Sequence, residues 1–89
     1  MISRTTKRFR SAFDALPPSV QQQARRAYRL FLQNPYHHSL AFRQVHPAEP
    51  IYSVRVGLHY RALGVRTGDE VVWFWIGSHS DYDNLLSSL

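Results

Sequence analysis

The chain has 89 residues, 44% hydrophobic and 19% charged, the balance of one globular domain over residues 1–89 and not of a disordered tail. It holds no cysteine, which excludes a disulfide framework, a thiol nucleophile and a cysteine zinc site. Eleven Lys+Arg against six Asp+Glu give a formal charge of +5, and every base but Lys7 is an arginine.

The first periodic stretch is residues 6–16, where Phe9, Ala12, Phe13 and Leu16 recur at helical spacing. Pro17-Pro18 ends it, because proline bars the preceding residue from helical angles. A longer helix starts at Pro18 or Ser19 and stops at Asn34-Pro35. Its apolar stripe is Val20, Ala24, Ala27, Tyr28 and Phe31, while Gln22, Arg25, Arg26 and Arg29 turn to solvent. The two helices read as an antiparallel hairpin.

Beyond this the period falls to two. Residues 41–45 form a short strand candidate and 46–50 a loop. Residues 51–56 alternate, with Tyr52, Val54 and Val56 on one face and Ser53 and Arg55 on the other. Turns at 57–59 and 67–69 bracket a strand over 60–66. Residues 71–76 are apolar on both faces, as a covered central strand requires. The chain closes in a helical turn or two over 81–89, capped by Ser80 or Asp81, with Tyr82, Leu85 and Leu86 facing inward. The expected architecture is α+β: an N-terminal helical hairpin on a three- to four-stranded antiparallel sheet, with a short C-terminal helix.

Arginine forks bind phosphate bidentately and stack on bases, so this composition points to a polyanionic partner, nucleic acid or an acidic protein. No apolar run reaches the ~18–20 residues of a membrane span, and no apolar signal stretch leads the chain, so no membrane partner and a cytoplasmic location are expected.

Two hairpins set the candidate chemistry. A turn at 57–59 places Arg55 opposite Arg61 on one face. Two guanidiniums side by side repel unless an anion bridges them, which makes a phosphate site; the alternative is a pair of solvated arginines. A short turn at 67–69 places Arg61 opposite Trp75 or Ile76, near the strand exit that carries His79. Histidine is the side chain best suited to moving a proton near neutrality, although a capping or surface role is the more common one for a histidine placed as His79 is. His37, His38, His46 and His59 match no zinc spacing, so neither metal nor cofactor is expected. Tyr52, Tyr60 and Tyr82 have rings able to stack on bases, but each also sits at an apolar parity. Trp73, Trp75, Tyr28 and Phe31 read as core.

The order of several segments resembles the RelE/ParE superfamily of toxins from bacterial type II toxin–antitoxin systems. The residues that carry the resemblance are Asn34-Pro35-Tyr36-His37-His38-Ser39-Leu40, Tyr52-Ser53-Val54-Arg55-Val56, Tyr60-Arg61-Ala62-Leu63-Gly64-Val65, and Trp73-Phe74-Trp75-Ile76-Gly77-Ser78-His79 followed by Tyr82. It implies a compact α+β toxin neutralised by an antitoxin protein with an acidic or amphipathic segment. RelE-like members cut mRNA on the ribosome without a metal, whereas ParE-like members inhibit DNA gyrase and lack the catalytic side chains. Carried over by position, Arg61 holds the scissile phosphate, His79 is the general acid and Tyr82 orients the nucleotide. Family ribonucleases often place lysines or a glutamate before the strand hairpin as the base; this chain has Arg43, His46, Glu49 and Arg55 there. The resemblance thus makes Arg61, His79, Arg55, His46 and Glu49 the expected catalytic set. Arg43, His59 and Tyr82 are expected to hold RNA, and His59 is a further candidate for the base.

Overall fold

A computed structural model describes all 89 residues. The elements run β1 Ile2–Thr5, α1 Lys7–Asp14, α2 Pro18–Gln33, a single 3-10 turn His38–Leu40, β2 Arg43–Gln44, β3 Ile51–Val56, β4 Tyr60–Thr67, β5 Glu70–Ser78 and α3 His79–Ser88. The Thr6 side chain caps α1 by accepting from the Phe9 amide. Pro18 occupies the first turn of α2, where its missing N–H has no helical partner to lose. Gln21 Nε2 donates to the carbonyls of Phe13 and Asp14 at 3.1 and 3.2 Å. The start of α2 is thereby tied to the end of α1. No helix is long and apolar enough to cross a membrane.

The sheet has five strands in the order β1-β5-β4-β3-β2, one more than the upper expected count. The added strand, β1, pairs parallel to β5, with Ile2 opposite Glu70 and Thr5 opposite Trp73. The other pairings are antiparallel, so the sheet is mixed. Residues 1–5 carry too little alternation to announce a strand; β1 exists because β5 offers it a row of unpaired backbone groups. Trp73 Nε1 adds a bond to Ser3 Oγ at 2.9 Å.

Helices cover both faces of the sheet. One face sends Val54, Val56, Ala62, Val71, Trp73 and Ile76 into a core shared with Ala24, Phe31 and Leu40. Phe31 stands edge-on to both Trp73 and Phe42, at centroid distances of 5.3 and 5.1 Å. Tyr28 leaves this core and is 36% exposed on the helical face. The opposite face packs Ile51 and Leu63 against Tyr82 of α3, with Trp75, Leu85 and Leu86 around them. Trp73 and Trp75 therefore belong to different cores.

A bulge explains the split. Register runs from Gly64↔Trp73 to Leu63↔Trp75, leaving Phe74 as the extra residue of β5. Beyond the bulge every β5 partner is displaced by one. Arg61 therefore faces Gly77, not Trp75 or Ile76 as the turn alone predicts.

Candidate active site

β3 and β4 are joined by a tight turn at Gly57, Leu58 and His59, and their register places Arg55 directly opposite Arg61. Both side chains share the α3 face with Ser53, and β2 brings Arg43 opposite Ser53 at the adjoining position. Ser53 is buried, and its hydroxyl is satisfied by Tyr82 Oη, which donates to its Oγ at 3.3 Å. The arginines thus cluster at the end of the sheet where α3 begins. Arg61 Nη1 is held by the Tyr60 carbonyl at 2.7 Å. Burial pushes the Arg61 guanidinium below the ordinary arginine value, and the like charges of Arg55 and then Arg43 push the same way. Tyr82 and Asp83 oppose that shift. The guanidinium remains cationic at neutral pH.

Across β4, Gly77 completes the floor. A side chain there would collide with the Trp75 ring, which a Cβ would meet at 2.6 Å. The bare backbone lets the indole lie beneath Gly77, in the row that faces Arg61.

His79 is the first residue of α3, which is capped by Ser78; Ser80 and Asp81 lie already inside the helix. Its amide donates to the His59 carbonyl at 2.7 Å, which joins the β3–β4 turn to the start of α3. Its ring stacks over Tyr82 at 5.8 Å and 20°, and its Nε2 lies 3.6 Å from Asp83 Oδ2. About half of the His79 side chain is exposed. One end of the sheet therefore gathers three arginines, a half-exposed imidazole and one carboxylate.

His46 and Glu49 lie elsewhere, in the β2–β3 loop. Ile51 and Arg55 are four residues apart on an extended strand, or ~13 Å. The second ruler is α3, ten residues long and so ~15 Å. His79 stands at one end of that helix, while His46 Nε2 reaches the carbonyl of Leu89 at the other, 3.3 Å away. His46 Nδ1 also accepts from the amides of Ala48 and Glu49 at 3.1 and 2.9 Å. Both ring nitrogens are occupied in shaping a loop. The expectation that His46 or Glu49 takes a proton at the arginines is corrected by this separation.

Tyr82 requires a correction of a different kind. It is 6% exposed and its hydroxyl is bonded to Ser53, so it underlies His79 instead of offering an open face to a base. His59 stays exposed in the turn beside His79, and Arg43 stays exposed beside Arg55 and Arg61. The five histidines join no group of three or more potential metal ligands. Asp83 and Ser53 were not anticipated from the sequence. The signal for Asp83 is its spacing of four from His79, which has meaning only once the helix begins at His79.

A second opening lies on the other side of the sheet. A cleft of about 560 Å³ runs between α1 and α2, with Phe31, Val54, Ala62 and Trp73 in its apolar lining.

Comparison with known proteins agrees with this architecture. The family model of the ParE-like toxin domain matches residues 18–84. The RelB-RelE antitoxin-toxin complex from Methanococcus jannaschii aligns with a TM-score of 0.69 at 15% identity, over 92% of this chain and 96% of that one. YafQ from E. coli strain BL21(DE3) aligns with a TM-score of 0.71 at 8% identity, over 90% and 94%. The toxin-antitoxin complex RelBE2 from Mycobacterium tuberculosis gives 0.67 at 20% identity, over 88% and 96%. At such identities these likenesses speak for the fold. No curated protein matches the chain.

Proposed function

The chain belongs to the RelE/ParE superfamily of toxins, carrying the ParE-like toxin domain over residues 18–84, and on that premise we propose that it is a metal-independent endoribonuclease acting on ribosome-bound mRNA. The observation that carries the reading is the opposed pair Arg55 and Arg61 with His79 beside it. A pure binding surface has no need to crowd cations around a half-exposed imidazole.

In this mechanism the ribose 2′-oxygen attacks its own 3′-phosphate. A base takes the 2′ proton, a 2′,3′-cyclic phosphate forms, and the P–O5′ bond breaks as an acid protonates the departing 5′ oxygen. Arg61 and Arg55 stabilise the charge that develops on phosphorus, a role often worth ~10²–10³ in rate. His79 in its imidazolium form is the acid, with Asp83 as the charge partner that positions it. Of the candidate bases, His59 is the one at this end of the sheet, since its carbonyl binds the His79 amide.

The partner that silences the toxin is an antitoxin whose acidic residues cover the Arg55 and Arg61 face. Its apolar residues have the cleft between α1 and α2 to enter. A second reading is a ParE-like inhibitor of DNA gyrase without chemistry, which the description of the matching family model favours.

Induction without the antitoxin is expected to stop growth and produce discrete breaks in cellular mRNA by primer extension, with DNA supercoiling unchanged. Arg61→Ala is expected to remove both arrest and breaks while the protein stays cooperatively folded, because the partly buried guanidinium has no ion-pair partner and bonds only the neighbouring Tyr60 carbonyl. Altered supercoiling with intact mRNA would favour the gyrase reading and reject the ribonuclease.

A further inference from the structure

Adjoining the arginine–histidine cluster at Arg55, a groove of about 660 Å³ runs between α2 and the end of β3. Arg26, Arg29 and Arg55 line it together with Gln23, Gln33 and Ser39. No acidic residue borders it. All three arginines are exposed. The ion pairs of the molecule engage Met1, Arg4 and His79, not these arginines, and the hydrogen-bonded guanidiniums are those of Arg4, Arg10, Arg61 and Arg66. The three groove arginines have no partner within the chain.

α2 is unusual in its own right. Its sixteen residues include Arg25, Arg26 and Arg29 and no acid at all. Of these, Arg26 and Arg29 line the groove three residues apart, where side chains on a helix are neighbours and like charges repel. No carboxylate of the helix offsets them, so an anion laid in the groove would relieve the repulsion. At one end of the groove Gly57 adopts φ +62, and a Cβ there would strike the Gln23 side chain. Gln23 can therefore lie against the turn backbone and close one end.

We propose that this groove binds the sugar–phosphate backbone of single-stranded RNA, as a continuation of the strand held at Arg61. This rests on the ribonuclease reading above. Arg55 marks where the two places adjoin, at the end of β3: the residue borders the groove, and its side chain lies on the α3 face opposite Arg61. The lining selects among polyanions. Glutamine amides, a serine hydroxyl and guanidiniums suit phosphates and ribose hydroxyls. An amphipathic protein segment wants apolar anchors, which make up eleven of the sixteen residues lining the separate cleft between α1 and α2 but only four of the eleven lining this groove.

The experiment is fluorescence anisotropy of the full chain with a 2′-O-methyl RNA oligonucleotide, which has no free 2′-hydroxyl to react, over a series of salt concentrations. Each phosphate contact to a single strand contributes ~0.7 to the slope of log K against log salt. The double variant Arg26→Gln/Arg29→Gln is expected to lose affinity and to flatten the slope by ~1.4. Lys7→Gln/Arg8→Gln removes the same charge from α1, outside the groove, and is expected to leave the slope near the parent value. Equal slopes for parent and groove variant, or equal losses in both double variants, overturn the proposal. So does unchanged RNA binding with weakened antitoxin binding, which assigns the groove to an acidic protein. Cleavage is read separately with an unmodified RNA on ribosomes. If the parent does not cleave yet the groove variant alone flattens the slope, the groove stands and the ribonuclease reading falls.

Discussion

The two faces of the sheet are covered by helices in unequal ways. Under α1 and α2 lie nine buried residues in one cluster, with Trp73 and Phe31 at its centre. Under α3 lie three, Ile51, Leu63 and Tyr82, with partly buried apolar side chains around them, and one end of that face carries arginines. The first face is where apolar area leaves water, so it supplies most of the folding free energy. The second gives up burial to hold cations close together, which costs stability and yields a field that only an anion relieves. Stability and chemistry are thus divided between opposite sides of one five-stranded sheet.

The largest expected effect tests the first side of that contrast. Trp73 is 3% exposed, and Trp73→Ala is expected to lose ~3–5 kcal/mol in denaturant unfolding, from cavity formation and a freed β1. A loss no larger than that of a change under α3 would erase the distinction between the faces.

The next effect belongs to the second side. His79→Gln keeps a hydrogen-bond donor but cannot shuttle a proton, so single-turnover cleavage is expected to fall by at least ~10²-fold. Its unfolding midpoint should stay near that of the parent, because the side chain is half exposed. Full growth arrest from a well-folded His79→Gln chain would remove the acid from the mechanism.

Tyr82→Phe sharpens the boundary between the two roles. It deletes the hydroxyl bonded to Ser53 and keeps the ring beneath His79. A loss of ~1 kcal/mol in stability is expected, because Ser53 is left buried with its bond unmade, and cleavage should change little. Unchanged stability with impaired cleavage would move the Tyr82 hydroxyl from the core to the substrate. The smallest effect is that of Asp83→Asn. An exposed pair four apart on a helix is weak, so the single-turnover rate is expected to change by about twofold, most visibly at low salt. A much larger loss would make Asp83 a direct participant in proton transfer.

The arginine pair was legible in the sequence because a tight turn converts spacing into register. Arg55 and Arg61 flank residues 57–59 symmetrically, and the observed register keeps that symmetry. The position of Arg61 against β5 was not legible, since one extra residue at Phe74 shifts every later partner. The base was misplaced for a related reason. Residues 46–49 are near Arg55 in sequence, but an extended strand separates them by its length.

Local periodicity, turn chemistry and composition determined the two helices, the β3–β4–β5 meander and a basic face with two opposed arginines. Each of these depends on interactions within a few residues of chain. The tertiary structure decided that residues 2–5 pair in parallel with β5, that Ser53 and Tyr82 meet beneath α3 and that His79 is anchored to His59. It also decided that α3 begins at His79, which places Asp83 one turn along. Those contacts join segments far apart in the chain, and their free energy comes from edges and apolar area that no local pattern displays.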